Sequence, residues 1–257
     1  MSVRKDTLTQ VLDLKYGPVG DQNWGPRMRR EFGYANPDDV YESVLFDLIT
    51  QETEWLDVGC GWRIFPSNPE CAKILADRAR LLVGLDPTDH VDRNIFIHEG
   101  VRSTLEDYHA DRKFDLITLR MVAEHIADPE AAVAALARLT RPGGKAVILT
   151  VSRWSPVTII SNLTPLKFHR FVKRFFWFGA DEDSFPTVYQ MNTRGTLKDI
   201  FQRHGFYEDS YIALDDCRSL KRWRVGQFFE LSLWKILKLL RLPYPERNIL
   251  GIYRKII

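Results

Sequence analysis

A strand that runs directly into a glycine turn constrains the fold of this 257-residue chain more than any other feature. Residues 55–58 read Trp-Leu-Asp-Val, an apolar run typical of a buried strand, and Gly59 and Gly61 follow it. Glycine allows a tight turn and a close approach of the backbone to a bound molecule. A second apolar run, Leu81–Asp86, ends in a carboxylate, as in nucleotide sites where the acid accepts hydrogen bonds from ribose hydroxyls. The sequence therefore predicts a nucleotide-type site in a doubly wound sheet.

Strand and helix patterns alternate through the middle of the chain. Such alternation favours a parallel sheet with right-handed crossovers. Outside this middle part, residues 36–50 and a segment capped by Thr193 are predicted as helices, because a capping residue precedes an apolar periodicity. Strands are predicted over 54–58, 81–86, 94–98, 114–119, 146–151, 206–214 and 248–253, and helices also over 69–80 and 129–139.

Five ordered motifs carry a family resemblance. Asp57-Val-Gly-Cys-Gly61 resembles the first motif of the class I S-adenosylmethionine-dependent methyltransferases, and Asp86 resembles their ribose-binding acid. The other three motifs resemble the adenine loop, the fourth strand and the turn before the fifth strand, and they are Leu105-Glu106-Asp107, Phe114–Ile117 and Arg141–Gly144. The resemblance covers residues 50–152 and implies an α/β fold with a mostly parallel seven-stranded sheet. It also implies an antiparallel last strand.

The resemblance implies S-adenosylmethionine as the cofactor. The two glycines would make room for its methionine part, Asp57 would orient that end, and Asp86 would bind the ribose. Either Glu106 or Asp107 would accept a hydrogen bond from the adenine amino group. An NAD-binding domain would share the first turn, but the third glycine of its phosphate fingerprint is absent. The predicted cofactor-binding residues are Asp57, Gly59, Gly61, Asp86, Glu106, Asp107 and Arg120.

The segment after the fourth strand contains the candidate catalytic residue. Glu124-His125, followed by Asp128-Pro129, is similar to ubiquinone-biosynthesis O-methyltransferases. His125 is the candidate general base, since histidine has an unperturbed pKa near 6.5. The alternative is that His125 only caps or packs at the mouth of the site. In the quinone enzymes a carboxylate just upstream helps to hold a metal, but Met121 stands there, so no metal is predicted.

Less recognisable segments are expected to form the acceptor side. Residues 185–193 resemble a stretch of bacterial methyltransferases linked to polysaccharide, glycolipid or secondary-metabolite pathways, and Tyr189 and Asn192 are the predicted substrate-binding residues. Residues 1–50 are predicted as an N-terminal arm that either packs on the sheet or closes as a lid over the methyltransferase domain, 51–257. A helical cap insertion is predicted over 152–190.

Two segments combine basic and aromatic residues. Residues 152–180 and an amphipathic helix predicted over 223–242 fit peripheral contact with a membrane. Alternatively, 152–180 binds an anionic or polymeric acceptor or packs as a cap with its own aromatic core, and 223–242 is a core helix or a homodimer helix. No uncharged apolar run reaches 18 residues, so no membrane-spanning helix is predicted. The three cysteines have no metal-binding spacing, which favours a reducing cytoplasm.

The sequence predicts an enzyme that methylates an oxygen of a small molecule, a saccharide or a lipid-linked intermediate, in the cytoplasm or at the inner face of the membrane. The net charge of +2 gives no general attraction to nucleic acid. The tetrapeptide typical of base amino-group methylation is also missing. A nucleic-acid methyltransferase and a non-catalytic binding module that keeps the fold remain the two alternatives.

Overall fold

A central β-sheet organises the computed structural model, which describes residues 3–156, 158–159 and 185–256. Its strands are β1 (Glu54–Val58), β2 (Leu81–Asp86), β3 (Glu99–Arg102), β4 (Phe114–Arg120), β5 (Thr140–Val151), β6 (Phe206–Asp215) and β7 (Arg247–Lys255). Among the described residues the sheet has seven strands in the order β3-β2-β1-β4-β5-β7-β6. Strands β1 to β5 pair in parallel, and β7 runs antiparallel to both of its neighbours, β5 and β6. The predicted doubly wound, mostly parallel sheet is therefore confirmed.

Helices cover both faces of the sheet. In the described part of the chain they are α1 (Lys5–Tyr16), α2 (Trp24–Phe32), α3 (Pro37–Leu48), α4 (Pro69–Arg78), α5 (Pro129–Leu139), α6 (Arg194–Arg203) and α7 (Arg224–Leu239). Alternate residues of a strand point to opposite faces, so Trp55 packs in the core with α1, α3 and α4, whereas Leu56 packs in the core with α5 and α6. A smaller apolar cluster around Tyr34 and Trp234 joins the N-terminal arm to α7.

Local capping chemistry explains where the predicted helices begin. The side chains of Asn68, Asp128 and Thr193 each accept a hydrogen bond from a backbone N–H in the first turn of α4, α5 and α6. Proline occupies the start of α3, α4 and α5, where its missing N–H would have no partner in any case. These helix starts could be read from sequence because each depends on adjacent residues.

The prediction of the third strand was wrong. Residues 94–98 form a packed loop, and β3 follows at Glu99–Arg102. The Asn94 side chain accepts from the N–H of Phe96 at 3.1 Å and donates to the carbonyl of Gly61 at 3.1 Å, which bends the chain. Ile97 packs so closely on Gly84 that a Cβ there would lie 2.9 Å from it. Phe96 and Ile97 thus pack in a loop, Ile95 is exposed, and β3 itself is mostly exposed.

The boundaries of two further regions differ from the predictions. No helix was predicted before residue 36, but α1 spans Lys5–Tyr16 and α2 begins at Trp24. Pro26 is tolerated because it lies in the first turn of α2. β5 starts at Thr140 instead of residue 146, since Thr140 already pairs with Phe114 before the register shifts. The Pro-Gly-Gly turn therefore lies inside the strand as an irregularity.

A buried ionic cluster anchors the arm. Lys15 Nζ lies 2.8 Å from Asp39 and 3.0 Å from Glu42, and no side chain of the three is more than 3% exposed. Asn68 donates to the other Glu42 oxygen at 2.7 Å. Burial raises the pKa of Glu42 to about 7, and Asp39 also raises it, whereas Lys15 and Asn68 oppose the shift. A protonated Glu42 leaves the cluster with one cation and one anion, which lowers the cost of burying it.

The predicted cap insertion lies largely outside the described residues, since 157 and 160–184 are not among them. The basic and aromatic residues predicted to contact a membrane from 160–180 therefore stay a prediction. Segment 223–242 contains α7, which is described below. No helix in the described ranges has both the length and the apolar character to cross a bilayer.

Candidate functional site

The glycine turn and the carboxylate of β2 meet at the carboxyl end of the sheet. The N–H of Gly59 donates to the carbonyl of Leu85 at 2.7 Å, and the N–H of Gly61 donates to Asp86 Oδ2 at 2.9 Å. Thr88 donates to Asp86 Oδ1 twice, from its N–H at 2.9 Å and from its hydroxyl at 2.6 Å. The structure therefore brings together three of the predicted cofactor-binding residues.

The two glycines have different surroundings. Both adopt the left-handed region, with φ of 69° at Gly59 and 48° at Gly61. A Cβ at Gly59 would overlap the side chain of Val122, whereas a Cβ at Gly61 would have no atom within 4 Å. Gly59 thus allows β1 and the segment after β4 to approach each other. Gly61 borders open space beside Asp86, where a bound molecule could fit.

Asp57 lies in a buried chain of hydrogen bonds. Trp55 Nε1 donates to the hydroxyl of Thr118 at 2.6 Å, and that hydroxyl donates to Asp57 Oδ1 at 2.6 Å. Burial raises the pKa of Asp57 to about 7, the charge of Asp86 adds to the shift, and Thr118 and Arg120 oppose it. The Asp57 carboxyl is therefore fixed in position, and its pKa lies well above that of an exposed aspartate.

The predicted adenine loop follows β3 at the same edge of the sheet. The N–H of Ser103 donates to the backbone carbonyl of Asp86 at 3.2 Å, so the loop begins next to the β2 acid. Leu105 is buried, Glu106 is half-buried and Asp107 is exposed. One apolar side chain and two carboxylates thus lie within three residues, beside the open space at Gly61.

Arg120 belongs to an ion-pair cluster whose members come from three distant parts of the chain and meet at Asp38. Its Nη1 lies 3.3 Å from Asp38 Oδ1 in α3, and Arg218 Nη1 lies 2.7 Å from Asp38 Oδ2. Burial alone would raise the pKa of Asp38, but the two guanidinium groups outweigh it and hold this pKa below its ordinary value. Arg120 is therefore ion-paired with the arm, a contact that no local pattern reveals because the partners are 82 residues apart.

His125 lies against the predicted acceptor segment. Its Nδ1 is 3.2 Å from the carbonyl oxygen of Pro186. A carbonyl oxygen can only accept, so Nδ1 carries the proton, and Nε2 of the neutral ring keeps its lone pair. The N–H groups of Val188 and Tyr189 donate to the backbone carbonyl of Glu124 at 2.8 and 3.1 Å. The candidate base and the predicted acceptor wall are therefore adjacent.

A buried network supports this arrangement. Thr150 donates to Glu124 Oε2 at 2.8 Å, and the Asn192 side-chain nitrogen donates to the Thr150 hydroxyl at 2.8 Å and to the Val151 carbonyl at 2.9 Å. Asn192 is 0% exposed and Tyr189 is 8% exposed, with a positive φ of 52°. Both predicted substrate-binding residues are therefore enclosed by the protein, and contact with an acceptor stays a prediction for each.

Met121 directly follows β4. It has a positive φ of 56°, and its N–H donates to the carbonyl of Leu149 at 2.8 Å. Over the described ranges, no three His, Cys, Asp or Glu side chains are grouped so that they could hold a metal ion.

A family model described as a methyltransferase domain matches residues 29–210, more than two thirds of the chain. The chain belongs to the class I S-adenosylmethionine-dependent methyltransferases. S-adenosylmethionine is accordingly the cofactor of its family. The methyltransferase match begins in α2, inside the predicted arm, and ends in β6, so it includes every predicted site residue.

Curated relatives of this methyltransferase include ubiquinone biosynthesis O-methyltransferases. The protein from Saccharophagus degradans is 30% identical over 112 residues, which are 40% of this chain and 45% of the relative. The protein from Erwinia tasmaniensis is 35% identical over 106 residues, or 38% of this chain and 42% of the relative. The match spans less than half the length of these curated relatives.

Solved structures support the fold of the methyltransferase. A putative sarcosine dimethylglycine methyltransferase from Galdieria sulphuraria has a TM-score of 0.54 at 13% identity, covering 98% of this chain and 99% of that one. The cyclopropane synthase MmaA2 from Mycobacterium tuberculosis has a TM-score of 0.53 at 16% identity, covering 84% and 83%. These similarities establish the fold alone, since one fold can carry different reactions.

Several residues that shape the site of the methyltransferase were not predicted. Thr118 donates a hydrogen bond to Asp57, and Thr150 donates one to Glu124. Val122 packs against Gly59 in the glycine turn. Thr118 had a weak signal, since it is a polar residue between the apolar Ile117 and Leu119. The Asp38–Arg218 pair had none, because its members are 180 residues apart.

Proposed function

We propose that this protein transfers a methyl group from S-adenosylmethionine to an oxygen of a small molecule, a saccharide or a lipid-linked intermediate. One observation carries the proposal. The contact between Gly61 and Asp86 lies at the carboxyl ends of β1 and β2, and the oriented ring of His125 follows the carboxyl end of the neighbouring strand β4. Ligands of doubly wound sheets bind at these ends.

The residues around the glycine turn fit the proposed cofactor. Asp86 has about four lone pairs as a carboxylate, and three accept hydrogen bonds from Gly61 and Thr88. One ribose hydroxyl can use the remaining lone pair of Oδ2. A second ribose hydroxyl can take the place of the Thr88 hydroxyl as a donor to Oδ1, because the Thr88 hydroxyl is free to rotate away. The open space at Gly61 then takes the methionine part, with Asp57 orienting that end.

The adenine end of the cofactor would lie at the loop after β3. Leu105 offers an apolar surface to the ring, and Glu106 or Asp107 accepts from the adenine amino group. We favour Glu106, because it is the less exposed of the two carboxylates and would lose less to competition with water. Arg120 acts through its ion pair with Asp38, which holds the arm against the end of β4.

His125 is proposed as the general base. When bound, the cofactor supplies a methyl group already activated by its sulfonium, so the protein must position the acceptor oxygen in line and remove its proton. The bond to Pro186 fixes the proton on Nδ1 and leaves Nε2 to accept the proton of the acceptor hydroxyl. The backbone of Glu124 holds the acceptor segment beside that ring.

The proposed class of acceptor is supported by the relatives of this chain. The matched ubiquinone biosynthesis enzymes are named as O-methyltransferases, which supports an oxygen acceptor. Tyr189 and Asn192 are proposed for the acceptor wall, since their segment lies on His125.

The N-terminal arm, 1–50, is proposed to act as a lid that excludes water from the site. We propose that the protein works in the cytoplasm, at the inner face of the membrane.

Calorimetric titration with S-adenosylmethionine and S-adenosylhomocysteine tests the cofactor, and methyl transfer tests the reaction. The acceptor probes are a catechol, a sugar and a polyprenylated phenol, each incubated with donor labelled in its methyl group. Label should enter at least one probe with the wild-type protein and much less with His125→Ala. Absence of binding at millimolar donor would remove the proposal. Binding without transfer to any of the probes would favour a non-catalytic binding module.

A further inference from the structure

Helix α7 has one face that packs on the protein. Its buried residues are Gln227, Glu230, Leu231 and Trp234. The ring of Trp234 meets that of Tyr34 edge-on at 5.1 Å, and its Nε1 donates to Asp215 at 3.0 Å. These contacts fix the rotation of the helix about its axis. They therefore also fix which residues face away from the protein.

The opposite face is apolar and exposed. Val225, Phe229, Leu233, Ile236 and Leu240 are 68%, 64%, 50%, 54% and 62% exposed. They recur every three or four residues, so they form one stripe along the helix and its last turn. Exposed Phe228 and Leu239 widen it. A contiguous apolar surface of this kind on a folded protein marks an interaction site.

The exposed charges of residues 219–245, which include the stripe, are all positive. Residues 219–245 contain six lysines and arginines and a single acid, Glu230. Glu230 is buried and accepts from the N–H groups of Ser219 and Leu220, so it does not face solvent. All six basic residues are exposed, and they are Lys221, Arg222, Arg224, Lys235, Lys238 and Arg241.

Three of the basic residues follow one margin of the stripe. Arg224 lies over the Trp24 ring at 5.9 Å, Lys235 over the Phe32 ring at 5.2 Å and Lys238 over the Trp234 ring at 4.5 Å. Trp24 and Phe32 belong to α2, so this margin is the boundary with the arm. An apolar stripe beside a basic margin is the pattern of helices that lie in a membrane interface.

We propose that the outer face of α7 docks on an anionic lipid bilayer, with the helix lying flat and its apolar stripe in the boundary between headgroups and acyl chains. The helix has 16 residues, about 24 Å, which is too short to span a bilayer. The basic margin lies at headgroup level, where long cationic side chains keep their charges in water. This partner adds to the proposed function and does not depend on methyl transfer.

Charge complementarity selects the bilayer over the other possible occupants of the stripe. A second copy packed through α7 would bring two cationic margins together, and like charges oppose that pairing. Residues 160–180 of this chain also carry basic residues and no acid, so the same repulsion applies to them. An anionic bilayer instead attracts each lysine or arginine that lies near its surface.

The docking face connects to the candidate site through a short series of contacts. Glu230 on α7 holds the backbone of Ser219 and Leu220, and the preceding residue, Arg218, is ion-paired with Asp38. Asp38 in turn pairs with Arg120 at the end of β4. A bilayer under α7 would therefore be linked to the arm, and to Arg120 at the end of β4, through this series of contacts.

Flotation with vesicles tests the proposal on the full-length protein. Vesicles of phosphatidylcholine alone are compared with vesicles that also contain phosphatidylglycerol. The wild-type protein should float with the anionic vesicles, and binding should fall as salt rises. Phe229→Glu/Ile236→Glu should reduce the bound fraction at least tenfold. The matched control, Val19→Glu/Tyr207→Glu, introduces the same charges at exposed apolar positions elsewhere and should float like the wild type.

A charge variant provides the second measurement. Lys235→Glu/Lys238→Glu should lose binding to anionic vesicles, whereas Lys73→Glu/Lys198→Glu, with the same change in net charge on α4 and α6, should keep it. The proposal is overturned if the wild-type protein stays in the soluble fraction, or if Phe229→Glu/Ile236→Glu floats normally. It is also overturned if light scattering shows that the wild-type protein is a dimer and that Phe229→Glu/Ile236→Glu is a monomer, because a second copy then covers α7.

Discussion

The backbone N–H of Gly61 donates a hydrogen bond to the carboxylate of Asp86 over 2.9 Å. This bond joins the turn after β1 to the end of β2, so the shape of the turn and the position of the acid depend on each other. Substitution of either residue should therefore affect both the local structure and the binding of a ligand between them.

The Asp86→Ala variant should bind S-adenosylmethionine more weakly by about 1.5–3 kcal/mol, because charge-assisted hydrogen bonds to the ribose are lost. Calorimetric titration measures this change. Asp89→Ala is the matched control, since Asp89 is exposed three residues later and pairs only locally with Arg93. Equal donor affinity in wild type and Asp86→Ala would contradict the ribose assignment.

The glycine turn allows a paired test of stability against binding. Gly59→Ala combines a left-handed φ with an overlap on Val122, so it should destabilise the fold by more than the roughly 1–2 kcal/mol of backbone strain. Gly61→Ala has the strain without an overlap, so it should cost less stability but weaken donor binding. Thermal unfolding and calorimetry separate the two effects. A smaller loss of stability for Gly59→Ala than for Gly61→Ala would contradict the structure.

The hydroxyl of Thr118 is expected to stabilise the fold through two buried bonds. Thr118→Val keeps the shape but leaves Trp55 Nε1 and Asp57 without their partner, which should cost about 1–3 kcal/mol for each unpaired group. Thr118→Ser keeps the hydroxyl and should lose much less. Denaturant unfolding measures both free energies, and equal losses would mean that the methyl group of Thr118 matters instead of its hydroxyl.

The His125→Ala variant should lower turnover about 100-fold near neutral pH, because the acceptor proton loses its base. Donor affinity should stay within twofold. The difference from wild type should narrow at alkaline pH, where a phenolic acceptor ionises without help. A pH profile of turnover, measured on the catechol or the polyprenylated phenol, checks this. A mild loss, or the same loss at every pH, would leave His125 with a structural role.

The Asp38→Asn variant should lower the free energy of unfolding by roughly 1–3 kcal/mol at pH 6–7, since it removes ion pairs with Arg120 and Arg218. These guanidinium groups hold the Asp38 pKa below its ordinary value. Its contribution is therefore complete above the unfolded pKa near 4 and is lost as pH falls through the folded pKa.

Unfolding measured from pH 7 down to pH 3 should show the Asp38→Asn and wild-type stabilities converging. Asp77→Asn, at an exposed position of α4, controls for the loss of one negative charge. A difference between Asp38→Asn and wild type that stays constant down to pH 3 would mean that the ionised carboxylate does not provide the stability.

The sequence predicted those parts of the fold that depend on neighbouring residues. The strand before Gly59, the proline-initiated helices and the N-cap at Thr193 were each defined by a few adjacent side chains. The third strand was misplaced because the apolar residues Phe96 and Ile97 pack in a loop, a tertiary effect that periodicity does not detect.

The candidate site divides in the same way. Gly59, Gly61 and Asp86 could be predicted together because strand ends in a parallel sheet converge. The contact of His125 with Pro186 could not be predicted from periodicity, since it depends on how a loop 61 residues away folds back. The ion pair between Arg120 and Asp38 could not be predicted either, because the spacing of neighbouring residues does not indicate contacts between distant parts of the chain.

The position of β7 has a consequence for how the protein is assembled during synthesis. β6 is made before β7, yet it joins the sheet only through β7, which lies between it and β5. Until residues 247–255 leave the ribosome, β6 has no neighbour and the β5 edge stays open. The nascent chain therefore exposes an unpaired strand edge until β7 has been made, and this edge is where we expect a chaperone to bind.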